Sequence, residues 1–269
     1  MEYWRDKRAV ITGGSAGLGR ALAGVLVQHG AHVAIVARGQ SALDDSAQQL
    51  RALGGDVLPL SADVTDREAV QRVASTVQKI WGGVDLVGHC AGRSMRGNVL
   101  ATTLADFRGL WEANFLSAVH LAQTFADALA ESRGHVVLIG SLASKVAPRY
   151  LGAYPSSKFA VAALAQQLRL ECGERGIHTL LVCPGPIARD EGADRYHEQA
   201  VDVPPKAYQP AGGAKVRRID PRQLAERILA ACERRRAELI IPRSARMLFA
   251  VAQLSPRLGD WLLRQWTAE

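Results

Sequence analysis

Apolar residues occur in short runs separated by longer amphipathic stretches, from one end of the chain to the other. Seven runs, at residues 9–12, 32–37, 56–61, 86–90, 136–141, 179–183 and 239–241, are rich in Val, Ile or Leu. Most are apolar at consecutive positions, so both faces are expected to be covered, as in parallel strands between helical layers. Between them, residues 18–29, 41–53, 66–81, 106–131, 154–175 and 221–236 have helical length. The alternation predicts an α/β fold, a doubly wound parallel sheet. With no repeat, low-complexity tract or linker, one domain is expected over residues 1–269.

Two regions break the rhythm. Residues 184–215 are rich in Gly, Pro and charge with no sustained apolar period. A loop of that length in a compact domain is usually functional, and a substrate lid is expected over 186–215. In the tail, 243–269, the residues Met247, Val251, Leu254, Leu258, Trp261 and Gln265 recur at spacings of four and three, flanked by Arg243, Arg246, Arg257 and Arg264. All but Gln265 are apolar, and Ser255-Pro256 divides the row into two short helices. The row either packs on the subunit or a partner subunit, or meets a membrane surface, since basic flanks beside Leu and Trp suit an interface.

Composition adds limits. The chain is 48% apolar and 22% charged, which excludes global disorder. No run of 18 uninterrupted apolar residues predicts an ordinary spanning helix. The segment Glu2-Tyr3-Trp4-Arg5-Asp6-Lys7-Arg8 is too charged to begin a secretory signal, so a cytoplasmic location is expected. Cys90, Cys172, Cys183 and Cys232 are scattered with no metal-ligand spacing; reduced thiols and no metal site are expected. The net charge of +7 could attract nucleic acid, anionic lipid or a phosphorylated cofactor. No nucleic-acid recognition motif accompanies it, so no such partner is expected.

Candidate chemistry begins after the first run, at Thr12-Gly13-Gly14-Ser15-Ala16-Gly17-Leu18-Gly19. A Gly-rich turn between strand and helix is where a dinucleotide pyrophosphate binds. Gly13 would permit the tight turn, Gly17 close backbone approach, and Gly19 close packing of helix on sheet. The helix N-terminus would offer free N–H groups to the phosphates. The second strand ends in Ala37-Arg38, where an NAD site usually carries Asp or Glu. A guanidinium can pair with a 2′-phosphate, so NADP(H) is favoured over NAD(H). Asp63 either accepts from an adenine amino group, with Val64 lining the ring, or caps a helix before Thr65-Asp66. Ser15 could donate its hydroxyl to the 2′-phosphate.

Ser141 stands at the end of the fifth strand, with Tyr154 thirteen residues on and Lys158 one helical turn later. Tyr154 and Lys158 share a helix face, and Pro155 is tolerated in a first turn. A nearby ammonium would stabilise the Tyr154 phenolate and suit it to acid/base work. Ser141 can hydrogen-bond a substrate oxygen.

Taken together, Thr12-Gly13-x-x-x-Gly17-x-Gly19, Asp63-Val64, Cys90-Ala91-Gly92, Asn114, Ser141, Tyr154-x-x-x-Lys158 and Pro184-Gly185 closely resemble the short-chain dehydrogenase/reductase family, in its order and spacing. The resemblance implies a Rossmann-like sheet of seven strands and hydride transfer between a nicotinamide and a ketone or secondary alcohol. It implies Tyr154 as the acid/base, Lys158 as pKa modifier and ribose anchor, and Ser141 as substrate positioner. Asn114 would hold a relay water, or else simply cap or kink its helix. Leu18, Ala91, Gly92, Pro184, Gly185 and Ile187 are implied at the cofactor, and a homodimer or homotetramer as the assembly.

Three departures stand out. Cys90 replaces an amide common in the family, so that strand must be braced differently. Arg189 stands where a Thr often meets the cofactor, and either takes that role or faces water. Ser15-Ala16 lacks a basic residue, leaving phosphate selectivity to Arg38. Leu142, Val146, Tyr150 and Leu151 suggest an apolar pocket wall and hence a lipid-like or steroid-like carbonyl. A non-catalytic NADP(H)-sensing protein is the alternative; such proteins tend to lose the Tyr or Lys, and both are present here.

Overall fold

The computed structural model describes residues 2–188, 203–204 and 217–266. The expected lid therefore lies almost wholly outside the described residues, as does Arg189. Seven strands form one sheet: β1 Arg8–Thr12, β2 His32–Ala37, β3 Val57–Ser61, β4 Leu86–His89, β5 His135–Ile139, β6 His178–Pro184 and β7 Glu238–Ile241. Every neighbouring pair is parallel, in the order β3-β2-β1-β4-β5-β6-β7. The helices are α1 Gly17–Gln28, α2 Gln40–Arg51, α3 Arg67–Trp81, α4 Leu104–Trp111, α5 Ser117–Thr124, α6 Ala126–Glu131, α7 Tyr154–Cys172, α8 Pro221–Glu233, α9 Ala245–Leu254 and α10 Pro256–Trp266.

The unbroken apolar runs have a direct cause. Ile11, Ile35, Val137 and Val182 pack with Leu22, Leu43 and Ile228 on the side of α1, α2 and α8. Their chain neighbours Val10, Val36, Val136 and Leu181 pack on the opposite face with Val73, Leu121 and Val161, from α3, α5 and α7. Successive residues of a strand point to opposite faces, and here both faces are buried.

The stretch read as one helix over 106–131 is instead broken twice. After α4, residues Glu112–Leu116 form a π turn, and Phe125 separates α5 from α6. The amide of Asn114 turns inward to grip the Arg93 backbone, and Ser117 Oγ donates to the Ala113 carbonyl at 2.8 Å, an interaction that bends helices. Apolar periodicity carries no trace of either.

The tail forms two helices divided at Ser255-Pro256, as expected. A Cβ on Gly259 would lie 2.6 Å from Ala252 Cα, so α10 folds tightly back on α9. The face that packs on the subunit differs from the expected row. Ala245, Leu248 and Phe249 are buried, with Ala252, Leu262 and Leu263 partly so, whereas Met247, Leu254, Leu258 and Trp261 are exposed. The segment of α9 is apolar around most of its circumference, so periodicity alone does not select a face. No described helix is long and apolar enough to cross a membrane.

Candidate active site

Strand order reverses between β1 and β4, which opens a crevice at their carboxyl ends. The glycine turn leaves β1 there. Gly13 has φ +66°, and a Cβ on it would come within 2.9 Å of the Ala91 nitrogen, so the turn leans on the segment leaving β4. Thr12 Oγ1 accepts from Ala91 N at 3.2 Å, which braces the end of β4 where Cys90 has no amide to offer. A Cβ on Gly19 would collide with the Gly13 carbonyl. The constraint at Gly19, expected between helix and sheet, therefore lies within the turn itself. Gly17 has φ +51° and a Cβ there would meet no protein atom, which marks the open side of the turn. Ala16 gives α1 no side-chain cap. Leu18, expected at the cofactor, buries its side chain in the core and offers the turn only its main chain. Ser15 lies partly buried in the turn, and its carbonyl accepts from Ser46 Oγ at 2.8 Å. An uncapped helix start behind a glycine with space for an approaching group fits a dinucleotide pyrophosphate.

Arg38 follows β2 and projects into solvent. One of its guanidinium nitrogens lies 3.9 Å from Asp63 Oδ2. Asp63 Oδ1 accepts from Thr65 N at 2.9 Å and Thr65 Oγ1 at 2.8 Å. The helix cap is Asp66, which accepts from Glu68 N, so Asp63 holds the preceding turn and caps nothing. Partial burial opposes ionisation of Asp63, but the two Thr65 hydrogen bonds and Arg38 outweigh it and lower its pKa. Val64 is buried in the core face below.

Lys158 is buried on α7, and its Nζ donates to the Ile139 carbonyl at 2.8 Å, two residues before Ser141. The same Nζ lies 5.8 Å from the centroid of the Tyr154 ring. Burial lowers the Lys158 pKa to about 8. Ser141 Oγ accepts from Ala143 N at 3.1 Å and so caps the short helical turn Leu142–Ser144 after β5. Asn114 is fully buried in the π turn. Its Oδ1 accepts from Arg93 N at 2.7 Å; its Nδ2 donates to the Arg93 carbonyl and to Ser157 Oγ, both at 2.9 Å. A Cβ on Gly92 would lie 2.7 Å from Asn114 Oδ1 and 3.7 Å from Lys158 Nζ, so glycine allows these groups to converge. Ser157, fully buried and next to Lys158, is a member of this set that motif spacing did not reveal.

Pro184 ends β6, and Gly185 N donates to the Ile241 carbonyl at 2.8 Å. Ile187 bridges to Ile219 and packs against the core. Of the expected apolar wall, Val146 and Leu151 are buried, Val146 in the core face, while Leu142 and Tyr150 stay partly exposed.

His89 adds a pH dependence. Ser117 Oγ donates to Ala113, so it accepts from His89 Nε2 at 2.8 Å, which leaves His89 Nδ1 buried without a partner. Burial, then Lys158, lowers the His89 pKa to about 3. An unfolded histidine takes up its proton near pH 6.5, so between 6.5 and 3 the unfolded chain binds more protons and stability falls as pH falls. Urea unfolding at pH 7.5 and 5.0 should show a loss of roughly 1–2 kcal/mol from this group. The loss should shrink in His89→Asn; an equal loss in both proteins would assign the acid sensitivity elsewhere.

Comparison with known proteins accords with this geometry. Residues 7–200 match the family model described as short chain dehydrogenase. Glycine betaine reductase ATRR of Emericella nidulans is 35% identical over 226 residues, 84% of this chain, which spans only 17% of that protein's length. Ketoacyl reductase HetN of Nostoc sp. is 26% identical over 98% of this chain and 90% of its own. A Burkholderia phymatum short chain dehydrogenase/reductase, solved in complex with NAD, shares the fold with a TM-score of 0.84 at 23% identity, over 96% of each chain. With its motifs in order along a seven-stranded parallel sheet and its family match over most of its length, this chain belongs to the short-chain dehydrogenase/reductase family of oxidoreductases.

Proposed function

We propose that the protein is an NADP(H)-dependent oxidoreductase that interconverts a ketone and a secondary alcohol, on an apolar, lipid-like or steroid-like substrate. The observation that carries the reading is the buried Lys158 ammonium beside the Tyr154 ring, at the carboxyl end of β5. A bound nicotinamide supplies or accepts the hydride. Tyr154 gives the proton to the carbonyl oxygen in reduction and takes it back in oxidation. The Lys158 cation would stabilise the phenolate left when Tyr154 gives up its proton. Ser141 donates to the same substrate oxygen as negative charge develops on it. Both Nδ2 protons of Asn114 bond protein oxygens, so a relay water would rest on its remaining acceptor sites. Gly13, Gly17 and Gly19 with the Leu18 main chain would hold the pyrophosphate, and Arg38, with the Ser15 hydroxyl, the 2′-phosphate. Asp63 and Val64 would take the adenine; Ala91, Gly92, Pro184, Gly185 and Ile187 the nicotinamide half. The partly exposed Leu142 and Tyr150 support an apolar pocket wall.

Oxidation of NADPH across a panel of steroid, 3-ketoacyl, aromatic and sugar ketones tests this reading. Turnover on the apolar ketones is expected; single-turnover silence across the panel would turn the reading to a cofactor sensor.

The exposed tail row bears on assembly. Met247, Leu254, Leu258 and Trp261 face outward beside Arg246 and Arg257. We assign this row to the contact with a second copy, consistent with a homodimer or homotetramer, or to an anionic membrane surface. Deleting residues 255–269 separates the two. Loss of the oligomer supports subunit contact. A stable, active truncation that no longer sediments with anionic vesicles supports the membrane. Absence of vesicle binding by the intact protein at low salt removes the second reading.

A further inference from the structure

Three buried side chains at the opposite end of the sheet from the candidate active site form a cluster that catalysis does not use. His135 opens β5 and His178 opens β6, and the parallel register sets them side by side. Cys232 reaches them from α8. One ligand atom from each of the three lies within 4.8 Å of the others, and all three residues are buried.

Hydrogen bonds fix the direction of each ring. His178 Nε2 lies 2.8 Å from the Arg236 carbonyl, which only accepts, so Nε2 carries the proton and Nδ1 is bare. His135 Nδ1 lies 2.9 Å from that bare nitrogen and donates to it. His135 Nε2 is then bare and accepts from the Tyr3 hydroxyl at 2.7 Å. The two Nδ1 atoms thus face each other, while each outer nitrogen bonds an oxygen. Metal-ligating histidines are held in the same way, with the far nitrogen on an oxygen that sets the ring orientation. Burial lowers the pKa of both rings, so both are neutral, as ligands must be. Two imidazoles and a thiol suit a borderline or soft late transition metal and disfavour hard cations.

We infer that His135, His178 and Cys232 form a binding site for one zinc-class transition-metal ion, held by both Nδ1 atoms and Cys232 Sγ. Such an ion ties the starts of β5 and β6 to α8. Tetrahedral coordination places N and S donors roughly 3.4–3.6 Å apart. The Nδ1 pair therefore opens by about half an ångström from its hydrogen-bonded distance, and Sγ moves inward. The short helix Glu2–Trp4 covers the cluster, with Tyr3 partly exposed. Trp4 Nε1, on a ring whose centroid is 5.5 Å from that of His135, is a buried donor without an acceptor. It suits a water or small anion in the fourth position. The proton balance is definite. Cys232 loses its thiol proton to solvent. His135 moves its proton from Nδ1 to Nε2, and the Tyr3 hydroxyl turns from donor to acceptor. One proton leaves per ion bound.

Cobalt(II) and zinc(II) titrations of the full-length protein test the site. One equivalent of Co²⁺ should produce a thiolate-to-cobalt charge-transfer band that Zn²⁺ displaces. Zinc calorimetry in buffers of different ionisation enthalpy should report one proton released per ion. Cys232→Ser should lose both signals while keeping the wild-type circular dichroism and basal activity. His178→Gln should bind at least about tenfold more weakly. If Cys232→Ser fails to fold, alkylation of the wild-type protein in sub-denaturing urea, which opens the buried thiol, decides: Zn²⁺ should protect Cys232 and leave the labelling of Cys172 unchanged. No charge-transfer band, a band that persists in Cys232→Ser, or an unprotected Cys232 overturns the proposal.

Discussion

Tyr154→Phe is expected to lower turnover about 10³-fold, within the range of general acid/base catalysis, while cofactor binding stays near normal. The variant keeps the ring that packs with Phe107, Met95, Leu110 and Ala153, so α7 should start where it does now. It also keeps the ring beside Lys158. What it removes is the hydroxyl, the proposed proton donor to the substrate oxygen. Steady-state kinetics and cofactor titration by fluorescence separate the two effects. Near-normal turnover would overturn the assignment of Tyr154. A matching loss of cofactor affinity would show instead that the site had been disturbed.

Arg38→Asp should move preference from NADPH toward NADH by roughly 1–3 kcal/mol, the scale of a charged hydrogen bond lost or opposed. That corresponds to a change of about 5- to 150-fold in the ratio of kcat/KM values. Arg38 is exposed, and its nearest ionic neighbour, Asp63, is already held by Thr65. The substitution should therefore leave the fold unchanged and act on the ligand alone. A second carboxylate beside Asp63 would repel a 2′-phosphate and accept from a free ribose hydroxyl. An unchanged ratio would reduce Arg38 to a surface charge.

The sheet was legible in the sequence because burial on both faces leaves unbroken apolar runs, and each run lies within a residue or two of a strand. Tyr154 and Lys158 were legible for a different reason, since a one-turn spacing on a helix is a geometric statement. The break at Asn114 was not legible. A π turn adds one residue to a helix without changing its composition, and the amide that turns inward is an ordinary residue type. Which face of the tail packs on its own subunit was not legible, because Leu248 and Phe249 compete equally with Met247 and Leu254 for the core. The pairing of His135 with His178 was hidden by their separation of 43 positions along the chain, which only the register of β5 against β6 removes.

Strand order also carries a consequence for synthesis. β2 pairs with β1 and β3 with β2; β4 then joins the free edge of β1, and β5, β6 and β7 follow outward in turn. Each strand leaving the ribosome thus meets an edge that already exists, and no pairing waits for a later strand to arrive between its partners. A parallel sheet otherwise folds slowly, because each contact closes a long loop. Here growth from a first-made centre limits how long any unpaired edge is exposed to aggregation. The glycine turn matures in two stages on the same schedule. Its backbone forms with β1 and α1, but its wall at Cys90 and Ala91 arrives only once β4 has docked. Every residue of that turn and its wall is thus made before Tyr154 and Lys158.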